Sequence, residues 1–442
     1  MTYAPALDHI PGPPPKPLVG HTLDLLRDSY GLHKRAAEQY GPIYKTKVLG
    51  RWSVALNNAD GLEYILSDPD RIFSSAGGWN MLHTIFPRGL MLRDFDDHRA
   101  HRRIMQAAFR KPVMDAYRDR MTETLDRLIG DWPVEQPFKF YPAVKTMTLQ
   151  MGGAVFMGLP VDDPRVPQLN HAFEAEVAAS ISPIRKPLPF TKLRRGMRAR
   201  EYLTGTFRDM IPERRKTGGD DFFSQMCLAQ DEDGNAWTDE EIVNHFNFLM
   251  MAAHDTTAAS LTKMIWAMAT YPEWQNRMIA EVDALGETPI DDEAMAALNV
   301  TERVFKESLR LMPPAPFIPR QATRAFSFGG VDFPAGTGVV GAPCTILRSS
   351  DHWTRPDTFD PDRFAPDRAE DQSHRYAWAP FGGGAHKCIG LHFATMQVKV
   401  FMTLLLRRYR VAHADNAPIT WQRVPIPYPK NGLPIRLIPR KG

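Results

Sequence analysis

One ten-residue stretch, Phe381-Gly382-Gly383-Gly384-Ala385-His386-Lys387-Cys388-Ile389-Gly390, narrows the possible folds of this 442-residue chain more than any other feature. Its pattern, F-x-x-G-x-x-x-C-x-G, arises by chance on the order of 10⁻³ times at this composition, so it is a specific signal. Gly384 and Gly390 permit positive φ and close backbone approach. Phe381 can shield a sulfur from water, and the helical pattern that follows points its positive end back at Cys388. Such a loop suits a thiolate that ligates a large planar cofactor, and a haem iron held by one cysteine meets each of these conditions. A bare cysteine without this frame would read instead as a small buried hydrophobe in a Gly-rich turn.

The other cysteines, Cys227 and Cys344, lie far from Cys388 and form no Cys-x-x-Cys pair, which excludes a disulfide framework or a zinc knuckle and makes a reducing compartment the default. Net charge is +3 (54 − 51), spread along the chain, and gives no electrostatic case for nucleic acid. Hydrophobic residues at 43% and charged residues at 24% exclude disorder and fibrous classes. Met1 to Ile10 lacks a basic and an apolar targeting region, and no run of ~18 apolar residues occurs, so a soluble cytoplasmic protein without an integral membrane anchor is expected.

Helical periodicity dominates from about residue 59 to 310. Strand signals lie at Ile43 to Val48, Trp52 to Leu56 and Phe317 to Val340, with a helix expected from Cys388 to about Arg408 and a closing strand pair around Lys430-Asn431-Gly432. Sheet-forming pieces therefore come from both ends of the sequence. They predict a mainly α fold with small β-sheets in a single large domain over 1–442, residues 1–20 being a Pro-rich lead-in.

Thr238-Asp239-Glu240-Glu241 reads as a capping box that opens a helix running to Tyr271-Pro272, roughly 45–50 Å at 1.5 Å per residue. Its apolar middle is broken by His254-Asp255-Thr256-Thr257. Burying Asp255 costs several kcal/mol unless it is hydrogen-bonded or works in a wet channel; a satisfied polar kink in a core helix is the plainer account. Glu307 and Arg310 share one helix face, alone no more than a surface pair, but 81 residues before Cys388 with Pro361-Asp362-Arg363-Phe364 between. His98 and Arg102, at i and i+4, either hold carboxylates or form a solvated helix face.

Together these stretches resemble the cytochrome P450 family nearly end to end. The resemblance implies the cytochrome P450 fold, haem b as cofactor, Cys388 as proximal ligand, and Phe381, Gly384 and Gly390 as its frame. His98, Arg102, Arg320 and His386 would contact haem propionates, although His386 by itself could equally be a capping or solvent-facing residue. Glu307, Arg310 and Arg363 would form a buried cluster, with Asp362 where Glu is commoner. Ala252-Ala253-His254-Asp255-Thr256-Thr257 resembles A-G-x-D-T-T, with Ala253 where Gly is usual. It implies a monooxygenase in which Thr256 hydrogen-bonds dioxygen, Asp255 relays protons through water, and one oxygen atom becomes hydroxyl on a substrate.

Substrate contacts are expected at Met250, Ala252, Phe317 and Ile318, with Trp79 to Leu92, Ala315 and Val424 to Ile426 nearby, and their apolar character implies a lipophilic substrate. The match leaves no fused reductase, and no dinucleotide-type G-x-G-x-x-G follows a strand, so electrons are expected from a ferredoxin with its reductase. Arg102, Arg103, Arg110, Lys111 and Lys387 would suit an acidic carrier. A monomer is expected. Two other readings stand beside this one: a peroxide-driven haem-thiolate peroxygenase, and a haem-thiolate sensor or carrier without turnover. Pro183 to Arg195, with Phe190 and Leu193 among five basic residues, is open between a membrane-skimming or ligand-admitting loop and a variable surface loop.

Overall fold

The computed structural model describes residues 7–182, 184–231 and 233–440, so the first six residues of the lead-in and Pro183 lie outside the described residues. In chain order the longer helices are α1 (Thr22–Tyr40), α2 (Ala59–Ser67), α3 (Phe95–Met105), α4 (Lys111–Gly130), α5 (Phe140–Met157), α6 (Val166–Ser180), α7 (Lys192–Thr217), α8 (Asp239–Thr270), α9 (Pro272–Leu285), α10 (Asn299–Leu311) and α11 (Leu391–Arg408). The strands are β1 (Ile43–Val48), β2 (Arg51–Leu56), β3 (Phe73–Ser74), β4 (Phe138–Lys139), β5 (Ile318–Ala322), β6 (Phe326–Phe328), β7 (Val331–Phe333), β8 (Gly338–Gly341), β9 (Tyr409–His413), β10 (Trp421–Gln422), β11 (Tyr428–Pro429) and β12 (Pro434–Pro439).

Contacts cluster into two units, each built from separated stretches of chain. The first comprises the chain up to Asn80, Arg303–Cys388 and Thr420–Lys430. Its sheet runs β1-β2-β8-β5-β3, with β2 and β8 parallel (Val54 opposite Val339) and the other pairs antiparallel. Val54, Leu56, Phe73, Ala322, Phe326, Phe333 and Val339 pack as one apolar layer, joining strands that lie far apart in sequence.

The second unit holds Met81–Glu302, Ile389–Ile419 and the chain from Asn431. Here α11 packs against α4 and α9. It is long and apolar enough to cross a membrane by length and composition, but two-thirds of that stretch is buried, the signature of a core helix. Strands order as β4-β12-β9.

The closing strand pair forms differently from the expectation. β11 pairs with β10 (Tyr428 opposite Gln422), and β12 pairs with β9 (Ile435 opposite His413), so Lys430-Asn431-Gly432 links two different sheets. Gly336-Thr337-Gly338-Val339-Val340-Gly341 does spell G-x-G-x-x-G shortly after β7, contrary to the sequence reading. It runs into β8 instead of opening a helix and therefore forms no phosphate-binding turn.

Candidate functional site

In the first unit, Cys388 N–H donates to Phe381 O at 2.9 Å and closes the glycine-rich loop. Gly382 and Gly384 both take left-handed φ, +67° and +59°, whereas Gly390, expected to use the same freedom, sits at φ −89° with open space where a Cβ would be. A Cβ on Gly384 would lie 1.7 Å from Leu66 O at the end of α2, so glycine is required both by conformation and by contact. Phe381 is held by edge-on contact with Phe305 of α10 and by Trp378. Of the three cysteines, Cys388 is exposed whereas Cys227 and Cys344 are buried. Burial pushes both of those thiols up to about 12, so they stay protonated at neutral pH.

The same unit holds a buried charge cluster. Glu307 accepts from Arg310 Nε at 2.6 Å and Nη2 at 2.9 Å, from Arg363 Nε at 3.2 Å and from the Asp360 N–H at 2.8 Å. Arg310 spends its remaining donors on the carbonyls of Leu347, Pro356 and Thr358. Arg363 also reaches Glu370 at 2.7 Å. All three side chains of the Glu307, Arg310 and Arg363 triad are 0% exposed, which is tolerable only because nearly every donor and lone pair is matched. Asp362 pairs outward with Arg303 at 2.8 Å.

Arg320 sits in β5, buried, and donates to Pro319 O. Ile318 packs on the Leu62, Leu66 and Tyr376 cluster and lies 4.0 Å from where a Cβ on Gly382 would be. Phe317 stacks obliquely on His33 of α1 at 4.8 Å.

In the second unit, α3 carries Asp96 and Asp97 in its first turn, suited to the positive helix end, and buries His98 and His101. Arg102 is half-buried on the same helix. His101 Nδ1 lies 2.9 Å from His245 Nε2 on α8, and the Trp237 ring stacks on His245 at 4.7 Å. Burial, with Arg93 and His101 adding repulsion, holds His245 well below its usual range, so it is neutral at pH 7. This clasp fixes α3, and with it His98, against the first turns of α8.

The expected capping box is present: Glu241 N–H donates to Thr238 Oγ1, and Thr238 N–H donates to Glu241. From there α8 runs 32 residues. Thr256 Oγ1 donates to Ala252 O at 2.7 Å, which leaves its lone pairs available to accept a further hydrogen bond. Asp255 is buried and meets Lys145 Nζ of α5 at 3.1 Å. His254 beside it bonds Thr148 at 2.8 Å, and burial lowers its pKa to about 4. Neutral at pH 7, His254 leaves Lys145 as the cation that balances Asp255. Met250 packs toward α5, its Cε 3.2 Å from where a Cβ on Gly152 would sit. Two residues from Ala252 is about 200° around a helix, so Met250 leaves α8 on a different side from Ala252 and Thr256.

The model of the family described as Cytochrome P450 matches residues 10–429. The chain belongs to the cytochrome P450 family. It is 38% identical over 430 residues to cytochrome P450 136 of Mycobacterium tuberculosis, covering 96% of this chain and 87% of that one. It is 28% identical over 435 residues to pentalenene oxygenase of Streptomyces avermitilis, covering 96% of each. A retinoic acid-bound structure of cyanobacterial CYP120A1 superposes with a TM-score of 0.88 at 25% identity, covering 98% of this chain and 100% of that one.

This P450 is thus a haem-thiolate monooxygenase with haem b as cofactor and the mainly α fold of its family. The cysteine loop fits such a cofactor, since it exposes one thiol at a glycine-cradled turn while the other two are sealed in the core. Sequence reasoning missed Lys145 and the His101–His245 clasp. Lys145 is the one charged residue in Phe140–Met157, and Asp255 is the one acid in the apolar middle of α8. A lone base in one apolar helix and a lone acid in the middle of another were the available signal.

Proposed function

We propose that this P450 hydroxylates a lipophilic small molecule with O₂, using electrons delivered singly by a separate ferredoxin and its reductase. The exposed Cys388, in a glycine-rich loop whose Phe381 packs on Phe305 and Trp378, is the observation that carries the reading. Cys388 is the proposed iron ligand, Phe381, Gly384 and Gly390 its frame, and Arg320, His386, His98 and Arg102 the proposed propionate contacts. Haem, when bound, supplies the redox iron at which dioxygen is activated. Thr256 accepts or passes on a hydrogen bond through Oγ1, and Asp255 supplies protons from the Lys145 side of α8. A buried acid tied to a partly exposed lysine serves a proton relay, for which a peroxide-fed site or a sensor without turnover has less need. Met250, Ala252, Phe317 and Ile318 are the proposed substrate contacts. The protein is proposed to be a cytoplasmic monomer built as one functional domain.

The relatives named for pentalenene and for bound retinoic acid make isoprenoid-like lipophilic compounds the first class to screen. A ligand that displaces the sixth iron ligand is read as a spin-state shift, and NAD(P)H oxidation coupled to hydroxylated product in a reconstituted ferredoxin system supports the reading. A reduced carbonyl spectrum typical of imidazole coordination refutes it. Product formed equally well from peroxide alone assigns the peroxygenase alternative.

A further inference from the structure

Asp255 has a neighbour whose chemistry the proposed function leaves unused. His254 is buried beside it on α8, with Nδ1 2.8 Å from Thr148 Oγ1 of α5. Thr148 assigns the tautomer of the ring. A hydroxyl has one proton to donate, and that of Thr148 goes to Lys145 O at 3.0 Å, so Oγ1 accepts from Nδ1–H. Burial keeps His254 neutral at pH 7, and a neutral ring carries a single N–H. The lone pair therefore lies on Nε2, 3.5 Å from Asp255 Oδ1.

Nε2 and Oδ1 are both sealed from solvent, and among the described residues neither receives a well-aligned hydrogen bond. The charged groups acting on the ring are Asp255 on its own helix and Lys145 on α5, the latter 3.1 Å from the same Oδ1. Two acceptor atoms thus face each other in a dry site, an arrangement that one proton between them would satisfy. We propose that His254 is a positioning residue for proton delivery, its Nε2 accepting the O–H of Asp255 whenever that carboxyl is protonated. A hydrogen bond made only by the neutral acid favours the loaded form. When Asp255 gives the proton up, its carboxylate returns to the pair with Lys145. The proposal rests on the reading of Asp255 as a proton donor.

Two substitutions in the haem-loaded enzyme separate this role from a structural one. His254→Asn keeps a donor for Thr148 and removes the acceptor at Nε2. His254→Gln keeps an acceptor near Nε2 and gives up the Thr148 bond. A structural role makes Asn the milder change, whereas the proposed role makes Gln the milder one. In pH-difference infrared spectra of the resting enzyme, a protonated-carboxyl band absent from Asp255→Asn should titrate about one pH unit lower in His254→Asn and close to the parent in His254→Gln. In reconstituted turnover, His254→Asn should form product roughly 10-fold more slowly and His254→Gln within about threefold of the parent. Thr148→Val frees the ring to take the other tautomer and should move the band in the same direction as His254→Asn, which decides the matter should His254→Asn fail to bind haem. A parent-like band in His254→Asn, equal losses in Asn and Gln, or an unmoved band in Thr148→Val overturns the proposal. Product formation untouched by Asp255→Asn overturns the reading beneath it as well.

Discussion

Lys145 Nζ lies 3.1 Å from Asp255 Oδ1, joining the one charged residue of α5 to the one acid in the middle of α8. Removing the lysine leaves a buried carboxylate without its cation. Lys145→Met should therefore lower stability by about 2 kcal/mol, less than a fully buried pair would lose because the lysine keeps some solvent contact. Asp255→Asn should recover most of that loss in the Lys145→Met background, with a coupling of ~1 kcal/mol in denaturant titrations of the four proteins. Asp255→Asn alone should slow product formation by roughly 10²–10⁴-fold, the usual range for loss of a proton-transfer group. A rate within twofold of the parent would remove Asp255 from proton delivery.

Thr256→Ala deletes one hydroxyl that now bonds Ala252 O within the same helix. The stability cost should stay near 1 kcal/mol, and haem content and ligand-induced spin shifts should persist. Electron use should outrun product, with the difference appearing as hydrogen peroxide. Stoichiometry of NAD(P)H, product and peroxide decides, and unchanged coupling would refute the role assigned to Thr256.

The Glu307 cluster predicts a strong asymmetry between charges that look alike in sequence. Glu307→Gln leaves Arg310 and Arg363 buried without their counter-charge and should cost about 3–5 kcal/mol, with loss of haem retention. Arg303→Ala, which breaks the partly exposed pair with Asp362, should cost under about 1 kcal/mol. Thermal unfolding and the haem-to-protein absorbance ratio read both.

Glu176 of α6 is fully buried, accepts from Asn247 Nδ2 of α8 at 2.6 Å, and is pushed up to about 8 by burial. The folded protein thus holds a proton that the unfolded chain releases near the ordinary carboxyl range. Its contribution is fully present below about 4.5 and is lost as pH rises through about 8. Glu176→Gln, neutral at every pH, should flatten this decline, so the variant gains melting temperature relative to the parent at pH 9 and not at pH 5. Parallel melting curves at both values would show that Glu176 is not the group responsible.

Much of this architecture was legible because its signals are local. The capping box at Thr238 and the spacing of Glu307 and Arg310 act over one helical turn, and both appear as expected. Pairings decided by tertiary packing were not legible. Lys145 and Asp255 are 110 residues apart, and neither has a local pattern that names the other. At the chain end, a turn sequence predicted a hairpin, but β9 and β10 each offered a partner edge. The G-x-G-x-x-G at Gly336 shows the converse, a pattern whose meaning depends on a helix that the chain does not form there.

Val54 of β2 waits for Val339 of β8, 285 residues later. At ribosomal speeds of about 5–20 residues per second that delay is roughly 15–60 seconds, during which an apolar strand pair has no sheet to join. Nascent chains should consequently depend on trigger-factor-like holdases early in synthesis, and truncations ending before β8 should aggregate rather than accumulate.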